Sequence, residues 1–245
     1  MVDTLRSEYL KLKRKKFFLT ILVIQILEMF WVLAALSQKR MLQNWETLIS
    51  NLSMLNGLFL SIMIAVIVSR LIDLEHKENT WKMLFSSPVS KISIYFGKLI
   101  CVMILLIFSG IVSFIGIILI SKVLSFSGSI PLLLIFKYII FYIITSLPIV
   151  AFQLWISLMI KNQAFALGAG IAGSFLGYFG RMFSWDKLLF WTYPSSSSPI
   201  GYEFIENKMI YTQNTEVPLI ISLSIVVGIL LILISSIRFL KKDVD

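Results

Sequence analysis

Residues 70–98 read RLIDLEHKENTWKMLFSSPVSKISIYFGK, a charged, amphipathic stretch set between two long apolar runs. Trp81, Leu84, Phe85 and Pro88 recur at i, i+3, i+4 and i+7, which places them on one face of a short helix. Asp73, Glu75, Lys77, Glu78 and Lys82 supply charge around that face. Pro88 marks its end, because the residue before a proline is pushed out of the helical region. A short helix carrying an aromatic and aliphatic knob suits a groove on a partner protein. The same spacing also fits a stripe laid on the membrane interface or on the undersides of neighbouring helices. Either way, the stretch reads as a structured loop joining two membrane spans, and the rest of the chain follows from that.

The 245 residues are 58% hydrophobic and 14% charged, with a mean hydropathy of +0.90, too apolar for a water-soluble domain. A hydrocarbon core about 30 Å thick takes roughly 20 apolar residues per helix. Six runs qualify, at 17–37, 52–72, 99–121, 138–160, 164–183 and 218–240. They must be helices, since lipid offers no partner for exposed backbone N–H and C=O groups. The expected fold is an all-α, six-span membrane domain covering 1–245. It has three special regions: an interfacial helix at 1–16, the cytoplasmic stretch 73–91, and an extracellular aromatic region at 184–217.

Lys39, Arg40, Lys122, Lys137, Arg181, Lys187 and Lys208 fall on one side of these spans, and the other 15 of the 22 Lys and Arg residues fall on the opposite side. The positive-inside rule then places both termini in the cytoplasm. The net charge of +9 is accounted for by anionic lipid headgroups and calls for no nucleic acid. Val2, Leu5, Tyr9 and Leu12 form an apolar stripe within a basic segment, the pattern of a helix lying in the headgroup plane. The first apolar run is longer than a signal-peptide core and contains Glu28, so it reads as a retained span.

Glu28 is the charge most at odds with its surroundings, since an acid at the middle of a span costs about 2.5–3.5 kcal/mol. Gln25 lies one turn earlier on the same face, and Gln153 in the fourth run is a further polar candidate. Together they read either as a polar lining for a substrate path or as hydrogen bonds between helices. Gly173, Gly177 and Gly180 suggest close helix packing, at a dimer face or within the subunit. Gly168, Gly170 and Gly173 fit Gly-x-Gly-x-x-Gly literally but follow no strand, so dinucleotide binding is not supported. The aromatics of 184–217, broken by Pro194, the serines 195–198 and Pro199, read as an interfacial belt or as a surface meeting a membrane-bound peptide. The single His76 and single Cys101 provide no catalytic pair, disulfide framework or metal cluster. No Gly-x4-Gly-Lys-Ser/Thr loop occurs, so the chain reads as a non-enzyme without a bound cofactor or metal.

The order of elements, the string Glu78-Asn-Thr80-Trp-Lys-Met-Leu84, and the following Pro88-Val-Ser-Lys91 and Gly97-Lys98 resemble the permeases of type-2 ABC exporters. Asn79 stands where that family commonly has Gly. The resemblance implies an N-terminal elbow helix before six spans and a coupling helix between spans two and three. Glu75, Glu78, Thr80, Trp81, Leu84, Phe85 and Pro88 would then meet a separate ABC ATPase, a dimer that binds ATP and Mg. ATP-driven closure would push on 75–88 and rock the spans. The small size and the start Glu8-Tyr-Leu10-Lys11 resemble the permeases of lantibiotic immunity, which expel an amphipathic antimicrobial peptide. That subgroup implies a second small permease, different or an identical copy, as a further partner. A permease for a drug or lipid-like substrate, an ion-coupled carrier and a non-transporting scaffold remain as alternatives.

Overall fold

The computed structural model describes residues 15–38, 43–77, 89–183, 185–205 and 208–241. The expected interfacial helix at 1–16 lies outside these residues except for its last two positions. Glu78, Thr80, Trp81, Leu84, Phe85 and Pro88 also fall outside them.

The described chain is mainly helical. Helix α1 (Phe17–Leu36) buries Phe17, Ile21, Gln25, Glu28, Val32 and Leu36, one stripe at helical spacing. Its other face is equally apolar and open, with Phe30 68% and Trp31 62% exposed. A helix that is apolar all round and buried on one side only is built to face lipid with the rest. Helix α9 (Val217–Leu240) is organised in the same way.

Three elements depart from the expected boundaries. The second run forms two helices, α2 (Trp45–Asn56) and α3 (Phe59–Lys77), bent by 42° to each other. Asn44 caps α2, its side chain accepting from Thr47 N at 2.8 Å, so the helix starts seven residues before the apolar run. Helix α3 (Phe59–Lys77) packs against α1 and the later helices and is buried along most of its length. Helix α4 (Lys91–Val123) has 33 residues, and its N-cap is Ser90, whose hydroxyl accepts from Ser93 N. It is roughly 50 Å long and overshoots the hydrocarbon core. The fourth run begins at Leu132 and is broken into α5 (Leu132–Thr145) and α6 (Leu147–Met159). Pro148 lacks an N–H, and the Thr145 and Ser146 hydroxyls donate to the Phe141 and Ile143 carbonyls, which accounts for the break.

Helix α7 (Gln163–Phe179) has 17 residues. At roughly 26 Å it is shorter than a hydrocarbon core, and the chain then turns through the 3-10 helix Gly180–Met182. Among the described residues, four helical stretches are long and apolar enough to cross a membrane: Phe17–Leu36, Lys91–Val123, Leu132–Met159 and Val217–Leu240. The bent pair would make a fifth. The chain is a multi-pass membrane protein.

Between α7 and α9 the chain folds into a cap. Short 3-10 turns at Asp186–Leu188 and Phe190–Thr192 lead into α8 (Tyr193–Ser196). A hairpin follows, β1 (Ile200–Ile205) antiparallel to β2 (Lys208–Gln213), in register from Ile200 opposite Gln213 to Ile205 opposite Lys208. Ser195, Ser196, Ser197 and Ser198 are all buried here. Ser195 Oγ donates to Thr192 O at 2.8 Å, and Ser198 Oγ donates to Ile200 O at 2.8 Å. The serine run therefore supplies the hydrogen bonds that let an irregular segment sink into the helix bundle. Trp191 stacks on Phe190 and meets Phe152 of α6 at 5.0 Å, so part of the expected aromatic belt serves as packing. Trp185 and Phe183 stay exposed.

Candidate functional site

Two polar centres stand out against this apolar bundle. The first lies where the flanks of the 78–88 loop converge. Glu75, in the last turns of α3, accepts a hydrogen bond from Lys98 Nζ, in the second turn of α4, and both side chains are withdrawn from solvent. Removing two opposite charges from water is tolerated when they meet each other. Glu75 therefore points inward, joining the two helices that carry the loop, and does not present itself on the loop's outer surface.

Further bonds gather other helix ends around this pair. Arg70 of α3 donates to Thr20 Oγ1 and to the Lys15 carbonyl at 3.0 Å, and its guanidinium sits 5.1 Å from the centre of the Phe17 ring. Lys91, the first residue of α4, donates from Nζ to the Leu240 carbonyl at 3.2 Å. The Tyr95 and Phe239 rings pack 6.3 Å apart beside it. The start of α1, the end of α3, the start of α4 and the end of α9 thus meet at one end of the bundle. The two helices that flank residues 78–88 are thus each tied to one further helix end, α3 to α1 and α4 to α9.

A crevice of about 320 Å³ opens at the same end, between Ser69, Arg70 and Asp73 of α3 and Gln163, Ala164 and Leu167 of α7.

The second centre is inside the bundle. Ser113 Oγ of α4 donates to Gln25 Oε1 at 2.7 Å. Gln25 Nε2 lies 3.3 Å from Glu28 Oε2 and 3.2 Å from Ser109 Oγ. Glu28 is 1% exposed, and its Oε1 has no hydrogen-bond partner among the described residues. Ser109 and Ser113, four residues apart on α4, complete a surface that sequence reading passed over because neither is charged. Asn56 Nδ2 donates to Tyr138 Oη at 3.2 Å, joining α2 to α5.

Gln153 belongs elsewhere. Its Nε2 donates to the Ala166 carbonyl at 2.8 Å and lies 3.2 Å from Ser69 Oγ, which fastens α6 to α3 and α7. It is no partner of Glu28. Gly173, Gly177 and Gly180 face inward as well. A side chain at Gly173 would run into the Trp191 indole, one at Gly177 would lie 2.5 Å from the Trp191 carbonyl oxygen, and one at Gly180 would lie 2.8 Å from the Thr192 methyl. This glycine face is occupied by the chain's own cap and does not form an open dimer surface.

In this closed arrangement the Gln25–Glu28 centre is a helix–helix junction, and that sets the expected effect of changing it. Glu28→Gln keeps the volume and the bond to Gln25, and should melt within about 1 kcal/mol of the parent. Glu28→Leu leaves one Gln25 N–H without an acceptor while its contacts to Ser109 and Ser113 remain, and should cost about 1–3 kcal/mol. Thermal melting of the purified chain in detergent separates the two, and equal melting by both variants would remove the junction role.

Residues 4–177 match the model of a family described as ABC-2 family transporter protein. The match runs from the N-terminal basic segment through most of α7 and includes both polar centres. No curated protein matches the chain.

Proposed function

Because the chain belongs to the ABC-2 family of transporter proteins, we propose that it is the membrane permease of an ATP-driven exporter whose ATPase is a separate subunit. The family match over most of the chain carries this reading. Such a family implies an ABC ATPase partner, and the 78–88 loop is where we place the contact. Trp81, Leu84 and Phe85 would seat in a cleft of the ATPase, with Glu78, Thr80 and Pro88 shaping the turn. The buried Glu75–Lys98 pair beneath the loop supports this assignment, since it gives the loop a stiff mount. ATP and Mg would be held by the partner dimer.

The finer reading has six passes with both termini in the cytoplasm, counting the bent pair and α7 as one pass each. Its support is that the end of α3, the start of α4, the start of α1 and the end of α9 converge at one end while the cap lies at the other. Gln25 and Glu28 would become part of the substrate path when the helices move apart. We further propose that the cargo is an amphipathic antimicrobial peptide expelled from the membrane, as in lantibiotic self-protection. A second small permease would complete the complex.

Purification of the tagged chain from its native membrane in mild detergent, with mass spectrometry of what accompanies it, tests the assignment. A P-loop ATPase is expected, with a second small permease beside it if the peptide reading holds. A chain that repeatedly purifies alone would overturn the exporter assignment.

A further inference from the structure

The opposite end of the bundle holds a cleft that the export reading does not use. It encloses about 660 Å³ between Glu46 of α2, Leu134, Lys137 and Phe141 of α5, Tyr211 of β2 and Pro218 at the start of α9. That volume is of ligand-pocket size. From Leu134 to Phe141 its wall follows α5 for about 10 Å, down from the end of a candidate span toward the middle.

The charges are arranged unusually. Glu46 and Lys137 line the same cleft, both are half-buried, and neither makes an ion pair with a described residue. Elsewhere in this protein opposite charges close to each other do pair, as Lys187 and Glu216 do at 2.6 Å on the surface of the cap. Glu46 is fixed in the first turn of α2, where Asn44 caps the helix. Tyr211 is tied to the same turn through Thr47 Oγ1 at 2.7 Å, so the cap and α2 form one wall. Lys137 stands on the other wall, in the second turn of α5. An acid and a base that line one partly apolar cleft without pairing complement a ligand that carries both charges. The flanks show where that ligand comes from. Leu133 is 70% and Leu219 is 50% exposed, each next in sequence to a lining residue, Leu134 or Pro218, a surface suited to acyl chains and not to water.

We propose that this cleft binds a zwitterionic phospholipid. The ammonium group meets Glu46, the phosphate meets Lys137, and one acyl chain runs along Leu134 and Phe141. The site needs neither the ATPase nor export, so it stands or falls separately from the assignment above.

The test uses the purified full chain in nanodiscs of phosphatidylglycerol. A trace of photoactivatable phosphatidylethanolamine, phosphatidylglycerol or diacylglycerol is added, and labelled peptides are read by mass spectrometry. Phosphatidylethanolamine should label residues 132–141 and 210–218 about fivefold more than the other two probes, the worth of one half-buried charge pair. Glu46→Gln should reduce its labelling to the phosphatidylglycerol level. Lys137→Met should reduce labelling by both phospholipids and leave diacylglycerol unchanged. Both variants should elute and melt like the parent, since neither residue has an ion-pair partner to lose among the described residues. Equal labelling by all three probes would overturn the proposal, as would labelling indifferent to both variants. Displacement of the lipid label by a cationic amphipathic peptide at lower concentration than by added phosphatidylethanolamine would also overturn it, and would make the cleft a peptide site.

Discussion

Replacing Lys98 by Met should destabilise the chain by about 3–5 kcal/mol, the cost of leaving a buried charge without its partner. Lys98 is fully buried, and its ammonium meets Glu75, itself 1% exposed. The single variant takes that ammonium away from Glu75, which stays buried. Thermal melting of the purified chain and the yield of monodisperse protein measure the loss. The double change Glu75→Gln with Lys98→Met removes both charges together and should recover most of the stability, because apolar or neutral replacements for a buried pair are often neutral. The double variant then separates folding from coupling. If the pair transmits loop motion to α3 and α4, ATP hydrolysis in the assembled complex should continue while transport falls. A single variant that melts like the parent would show that the pair carries little weight. A double variant that transports normally would leave it a purely structural tie.

That pair also shows what the sequence could and could not reveal. Lys98 and Glu75 were both visible as charges near a loop, but they lie 23 positions apart on different helices, and no periodicity links them. Lys98 was therefore left outside the third span, and the first eight residues of α4 were missed. The apolar runs behind α1, α4 and α9 were legible because continuous hydrophobicity over 20 or more residues has one main explanation in a chain of this composition. The start of α2 was not, because Glu46, Thr47 and Asn51 make its first two turns polar and only the cap at Asn44 marks it. Glu28 and Gln25 were flagged by their cost in lipid. Ser109 and Ser113, which complete the hydrogen bonds of Gln25, were passed over because a lone hydroxyl in a span costs little. The hairpin had a readable signal in the alternation of Tyr202, Phe204, Ile210 and Thr212, but Glu206-Asn207 lacks the Asn-Gly or Asp-Gly turn that would have announced it. The aromatic content drew the reading toward a membrane belt instead. The glycine spacing at Gly173 and Gly177 suggested close packing at a dimer face or within the subunit, and only the fold identifies Trp191 and Gly57 as their neighbours.

Replacing Trp81, Leu84 and Phe85 together by Ser should abolish recovery of the ATPase with the purified chain while leaving the spans folded. Each of these side chains is worth about 1.5–3 kcal/mol when fully buried, and interface energy concentrates in a few aromatic and large apolar anchors. Losing all three should therefore weaken the complex by on the order of a thousandfold or more, enough to lose it during a detergent wash. The helices flanking the loop are held independently, by Glu75 with Lys98, by Arg70 with Thr20, and by Lys91 with the Leu240 carbonyl. The variant should accordingly elute and melt like the parent, and this control gives the experiment its meaning. Loss of the ATPase with unchanged melting would place the motor contact on this face of the loop. Retained ATPase with unchanged melting would move the contact elsewhere, leaving the apolar stripe to lie on the membrane interface. Loss of both ATPase and fold would show that the stripe packs into the chain's own spans. The double variant Glu75→Gln with Lys98→Met then discriminates further, since a loop docked on a motor and a loop buried against the bundle would make opposite demands on the pair between its flanking helices. A docked loop needs that mount to pass force inward, so the charge-free double variant should lose transport. A loop that packs only on its own chain passes no force, and the same variant should transport as the parent does.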